Sequence, residues 1–480
     1  MSKMGCEQPQ ASQQAHSIDM LLSKKYSELV ELLSSNQKAP LPAFNSVPQQ
    51  DEYRSFVDMY ATIYTVNNVP LIISKALVDE FDEVTASLSR IFQKVYMVYA
   101  QQDGNAFAEH IGESPLFFEI MKEYKVDARD ILMRHDIIIS KGQIKLIEIN
   151  AGSQIGGWQV DFFEPAMRAI MAQDATMSKW NVKYKPALQA LFASVINSVR
   201  RLKPRARGNV VIVLDLESKY AEMKSILEAL FAKVTHHIFD HGQLFSIGAI
   251  EDLNYHDDKV FYQGVEIDAV LLSTEEEIPQ QPLMHLVRAN MEGQCYVPDA
   301  PIFTWINNKN LMPVMHESRV QQWLTADEIA FINKFVPWGQ ILGRFNGSHD
   351  AREALKKRLI EQQQHLVLKK AKSLQGIDVV VGKFTPTDTW LRYVEQHIDN
   401  PEWLAQEYCE PDQMTGFLAD VGKTSCSQVW GIFDFENSYK GGFVRAAWQG
   451  SCADGVINSA KGATEFMLFE EQKKNKKIVL

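Results

Sequence analysis

The chain has 480 residues, 46% apolar and 10% aromatic, enough for a large buried core and roughly two to four domains. Its 49 Lys and Arg against 60 Asp and Glu give a formal charge of −11 with no long basic run, which speaks against a nucleic-acid-binding surface. Five scattered cysteines (Cys6, Cys295, Cys409, Cys426 and Cys452) form no CxxC pair, and no apolar run reaches the ~18 residues of a membrane span. These features predict reduced thiols in a cytoplasmic protein with no membrane partner.

In chain order, residues 1–16 are polar and Gln-rich without an apolar signal core, and read as a disordered tail. Residues 17–125 read as a helical N-terminal region. "IDMLLSKKYSELVELL", "SFVDMYATIYTV" and "KALVDEFDEVTASLSRIFQKVYMVYA" there place apolar residues three and four apart. The segment 126–205 opens on a hairpin, "RHDIIISKGQIKLIEINAGSQIGGW", and continues in helices near 163–174 and 184–202. Over 206–300 the texture turns to strands alternating with helices, which predicts a small parallel α/β domain. "VVIVLDL" begins it, "THHIF" reads as a strand end, and "KVFYQGVEIDAVLLST" reads as two strands around a glycine turn. From 301 to 480, strand-like runs such as "HLVLKK", "GIDVVVG", "WLAQEYCEP", "SQVWGIFDF" and "GGFVRAAW" alternate with helical ones.

The hairpin carries polar residues at regular intervals. Side chains alternate across a strand, so Glu148 and Asn150 share a face. A two-residue turn at Lys141-Gly142 would set Asp136 against Ile147 and split the polar set. A three- or five-residue turn instead sets Asp136 opposite Glu148 and Arg134 opposite Asn150. Two facing carboxylates are unfavourable without a positive charge between them, and with an amide oxygen they suit a hard cation such as Mg2+. The following "AGSQIGG" loop offers backbone N–H groups and the Ser153 hydroxyl to an anion. Arg134 suits a phosphate or carboxylate fork. The same pattern also suits the solvent face of an exposed hairpin.

The order R-x-D, eleven residues, E-x-N, then a Ser and Gly loop resembles the circularly permuted ATP-grasp ligases, such as glutathionylspermidine synthetase and eukaryotic-type glutathione synthetase. The resemblance covers roughly 130–460. It implies a circularly permuted α/β ATP-grasp fold, with the small α/β domain inserted in pre-ATP-grasp fashion and the ATP-binding lid within 301–480. It implies Asp136, Glu148 and Asn150 as Mg2+ ligands, and Arg134 and Arg445 as catalytic residues at the transferred phosphate or acyl phosphate. Ser153, Lys309 in "WINNKNLMP", Lys369 in "HLVLKK", and Gln406, Glu407 and Cys409 in "WLAQEYCEP" would bind ATP. The activity implied is ATP-dependent joining of a small-molecule carboxylate to an amine.

The chain departs from the family in "SLQG", which lacks the Arg-Glu-Gly or Gly-Gly-Gly run, and in a shorter loop after Asn150. The resemblance therefore carries the superfamily and not the glutathione substrate. A metal-dependent hydrolase and a catalytically silent nucleotide-binding module are the alternatives. Other motifs fail on spacing. "GFLADVGKTS" encloses five residues between its glycines where a P-loop has four, His236 and His237 have no acid or cysteine at ligand spacing, and neither G-x-S-x-G nor H-E-x-x-H occurs. The sequence sets neither the acid, nor the amine, nor the oligomeric state.

Overall fold

A computed structural model gives the fold. It describes residues 18–472 apart from 36, 49–50, 103, 116–118, 120–125, 215–222, 239–241, 275–277, 346, 374–375 and 449, so the expected tail 1–16 lies outside the described residues. No helix among those described is long and apolar enough to cross a membrane.

An eight-stranded sheet forms the centre. Its main path runs β1 (Leu71–Ile73), β18 (Thr464–Glu471), β17 (Ser438–Trp448), β16 (Gly422–Phe435), β2 (Met133–Ser140) and β3 (Gln143–Ala151). β15 (Met414–Leu418) pairs with β16, and β4 (Val182–Tyr184) with β18. β1 is the parallel member, pairing Leu71 with Leu468. It comes from "LII" within the segment read as helical, between the helices Asp51–Ala61 and Lys75–Gln102. Those three residues are wholly buried, and tertiary pairing outweighs local periodicity over so short a run.

A second unit holds β5 (Val210–Leu214), β6 (Leu244–Ile247) and β10 (Ala269–Ser273) in the parallel order β10-β5-β6. The "VVIVL" of β5 is buried throughout, as expected of a strand covered on both faces. Beside it lies an antiparallel meander of β7 (Asn254–His256), β8 (Lys259–Tyr262) and β9 (Val265–Ile267). The stretch read as two strands thus contains three. The histidine pair also departs from expectation. Helix Lys224–Thr235 ends there and His236 caps it, so the residues follow a helix and not a strand.

A four-stranded antiparallel sheet, β11 (Gly339–Ile341), β14 (Trp403–Glu407), β12 (Leu366–Lys370) and β13 (Val379–Val381), has its own core. Leu355, Leu359, Trp390 and Val394 from the helices His349–Glu361 and Thr387–His397 pack there against Leu366, Leu368 and Ala405. Trp390 Nε1 donates to Leu359 O at 2.8 Å, which ties the two helices together.

Candidate active site

The site starts from an irregular hairpin. β2 and β3 are joined by Lys141-Gly142 alone, with φ of 53° and 71°. That left-handed pair makes a tight turn whose twist matches the strands. Asp412 fixes it by accepting from Lys141 N at 2.6 Å and Gly142 N at 2.7 Å. Of the turns the sequence left open, this is the two-residue one. The polar set is nevertheless united, because Ile147 is an extra residue in β3. Below it Ile137 pairs with Leu146; above it Asp136 pairs with Glu148 and Arg134 with Asn150. A β-bulge supplies the register shift assigned to the turn.

Asp136 is buried and held by two guanidiniums. Arg134 donates through Nε to Oδ1 at 2.8 Å and through Nη2 to Oδ2 at 3.0 Å, and its Nη1 reaches Gly156 O at 2.7 Å. Arg445 Nη2 lies 2.8 Å from the same Oδ2. Burial pushes the Asp136 carboxyl up, but Arg134 and then Arg445 outweigh it and hold it well below the usual carboxylate range. Both guanidiniums also lie over the ring of Phe443, at 5.8 and 5.5 Å from its centroid. Gly157, at φ 101°, makes room for that ring, since a Cβ there would sit 2.1 Å from it.

The two lysines face the same hairpin from elsewhere. Lys309 Nζ sits 3.1 Å from Glu148 Oε1 and donates to Ser373 O at 2.6 Å. Lys369, on β12, donates to Ile147 O at 3.0 Å, the carbonyl turned inward at the bulge. Burial drives its ammonium down to about 8; Glu148 opposes that shift and Lys309 adds to it.

Ser153 gives its hydroxyl to Asp299 Oδ2 at 2.7 Å and its amide to Oδ1 at 2.6 Å, and Asp299 also accepts from Leu272 N of β10 at 2.8 Å. The loop after Asn150 is thereby fastened to the small parallel sheet. Gln406 and Glu407 end β14 opposite Val367 and Leu366 of β12; the first is buried and the second exposed. Burial pushes the Cys409 thiol up to about 11, away from the reactive thiolate form.

The side chains singled out in the sequence line one cavity of about 830 Å³. Arg134, Asp136, Glu148, Asn150, Ser153, Lys309, Lys369, Gln406, Glu407, Cys409 and Arg445 thus converge from positions far apart in the chain. Asp299, Tyr60 and Glu465 were missed by sequence reasoning. Glu465 stands opposite Arg445 in the β17–β18 register, and the charge inside the apolar run "TEFMLF" was the available signal.

The donor set fits Mg2+ through part of the hairpin face. Glu148 and Asn150 offer oxygen donors on one strand face, and the Asn150 Nδ2 is buried without a partner. Both Asp136 oxygens are already taken by arginines, and the described residues hold no group of three His, Cys, Asp or Glu that could bind a metal. Two oxygen donors still suit Mg2+, which commonly takes one or two protein ligands and completes its shell with water and phosphate.

No protein-family model matches this sequence, and no curated protein matches it. Solved structures do. A glutathione synthetase-like effector from Globodera pallida, in its apo form, matches with a TM-score of 0.55 at 10% identity, over 90% of this chain and 99% of that one. A putative gamma-glutamylcysteine synthetase from Methylobacillus flagellatus KT matches with a TM-score of 0.40 at 13% identity, over 79% and 87%. The first likeness is one of fold. The chain shares a mixed α/β architecture with that effector.

Proposed function

We propose that this chain is an ATP- and Mg2+-dependent ligase. It would activate a small-molecule carboxylate as its acyl phosphate and join it to an amine, releasing ADP and phosphate. The observation that supports this best is the meeting of two buried lysines, a carboxylate–carboxamide pair and two arginines on one cavity. A metal-dependent hydrolase would leave Lys309 and Lys369 without work.

In this reading Lys309 and Lys369 neutralise the triphosphate, each exchanging its present partner for phosphate oxygen. Glu148 and Asn150 hold Mg2+, which supplies charge neutralisation of the phosphates when bound. Asp136 orients Arg134 and Arg445 and is not itself a ligand while both forks hold it. The arginines stabilise charge on the transferred group. Gln406, Glu407 and the backbone near Cys409 border the base, and Ser153 braces the anion loop through Asp299. The β11–β14 unit acts as the lid that keeps water from the acyl phosphate. The family's circular permutation, with the small parallel unit inserted and contributing to the substrate end, belongs to the same proposal. So do a cytoplasmic location and the absence of nucleic-acid or membrane partners. Among the described cysteines all are free.

The test is ADP release from Mg-ATP across a panel of carboxylic acids, with hydroxylamine as the acceptor. A ligase gives a hydroxamate in step with ADP. ADP release with no hydroxamate from any acid would remove the acyl phosphate from the account.

A further inference from the structure

Across the strand from Arg445 lies a carboxylate that the proposed chemistry leaves unused. Glu465, on β18, is 2% exposed and lines the cavity wall. Its two oxygens are served only by neutral hydroxyls: Ser459 Oγ donates to Oε1 at 2.6 Å and Tyr60 OH to Oε2 at 3.0 Å. Among the described residues no Lys, Arg or His forms an ion pair with it. Arg445, its cross-strand neighbour, turns its guanidinium to Asp136 instead, as does Arg134. Buried carboxylates ordinarily have a counter-charge, because the desolvation of an isolated one is costly. Burial accordingly pushes the Glu465 carboxyl up from the ordinary glutamate range, with the hydroxyls and the arginines opposing.

What borders this carboxylate gives the missing partner its chemistry. Tyr60 and Tyr64 come from the N-terminal region, their rings 4.9 Å apart, and both line the cavity beside the hydroxyl that meets Glu465. Aromatic faces next to a buried carboxylate attract a compact organic cation, through the ring quadrupoles and the charge together.

We propose that Glu465, with Tyr60 and Tyr64, forms a binding site for a small aliphatic ammonium. The cation supplies the counter-charge that the protein withholds, while the aromatic rings cover its carbon chain. As a binding site this stands on the geometry alone. The further statement, that the ammonium held here is the amine substrate, rests on the ligase reading. It would give the N-terminal region, through Tyr60 and Tyr64, a part in choosing the amine.

The experiment is thermal unfolding of the full chain with n-butylammonium chloride, against n-butanol and sodium chloride at matched concentration, for the wild type and for Glu465→Gln. The substitution keeps an oxygen and the side-chain shape while removing the charge. The expected result is a rise of about 1–3 °C for the wild type with butylammonium only, absent in Glu465→Gln. Equal effects of butylammonium and butanol on the wild type would overturn the site without reference to any variant. So would an undiminished rise in Glu465→Gln. Mg-ATP is added in parallel. If it moves neither protein while butylammonium moves the wild type, the ammonium site stands and the ligase reading falls. If Mg-ATP stabilises both and butylammonium stabilises neither, the reverse holds.

Discussion

One face of the β2–β3 hairpin turns Arg134, Asp136, Glu148 and Asn150 to the cavity, while the other carries His135 against Asp434 of β16. His135 Nε2 lies 2.9 Å from Asp434 Oδ2, the Ser89 hydroxyl donates to the same oxygen at 2.8 Å, and both side chains of the pair are fully buried. Both faces thus hold a buried carboxylate with a basic partner. They differ in what lies over them. The sealed face pairs its His135 and Asp434 within the protein, away from any ligand, whereas the open face keeps its charges at a cavity wall where a ligand can exchange with them. A buried carboxylate with a basic partner does not by itself mark a site; access does.

The two faces should fail differently. His135→Ala leaves Asp434 buried with only the Ser89 hydroxyl on it, and with the cavity left by the ring should cost about 3 kcal/mol, read as a large fall in the unfolding midpoint. The Mg-ATP-induced rise measured from that lower baseline should be kept. Lys369→Met should behave in the opposite way, lowering kcat/KM for ADP release about 10²–10³-fold while leaving the unliganded midpoint unchanged or higher. A clear loss of stability in Lys369→Met would mean that the lysine is structural and that the two faces are alike.

Asp136→Asn sharpens the contrast, because it frees two guanidiniums without touching Lys309 or Lys369. It should cost about 2–3 kcal/mol at neutral pH, by denaturant titration. The Asp136 carboxyl is depressed in the folded state, so its contribution is full above the ordinary carboxylate range and is lost as pH falls toward its folded value. The variant should therefore lack part of the wild-type acid transition.

The pH dependence of Lys369 runs the other way. Its folded value of about 8 lies below the ordinary 10.5, so between them the unfolded chain binds more protons and the unliganded protein gains stability as pH rises. The Mg-ATP effect should shrink over the same interval, because bound phosphate favours the charged lysine. Melting at pH 7 to 10, with and without Mg-ATP, checks both, and Lys369→Met should show neither trend. The smallest effect expected is that of Gly142→Ala in the turn, about 1 kcal/mol for a side chain at φ 71°, with nucleotide response unchanged.

Much of this was legible along the chain. Alternation set Glu148 with Asn150 on one face, and the strand–loop–strand around Lys369 was readable from "HLVLKK" and "GIDVVVG". The bulge at Ile147 was not, because an apolar residue between Leu146 and Glu148 continues the pattern either way and only the partner strand reveals the extra residue. Arg445 was reached through the resemblance alone, and its pairing with Asp136, hundreds of residues earlier, is a property of β2, β16 and β17 lying side by side. Glu465 and Tyr60 were hidden for the same reason. Each is ordinary in its own segment, and they meet through the packing of an N-terminal helix against the last strand.

The most direct test is the unfolding midpoint as a function of Mg-ATP for the wild type, Glu148→Gln and Lys369→Met. A ligand that binds the folded state raises the midpoint in proportion to the logarithm of its concentration above Kd. The account predicts a clear rise for the wild type and a much smaller one for each variant. No rise for the wild type over a wide concentration range, or equal rises in all three proteins, would contradict it.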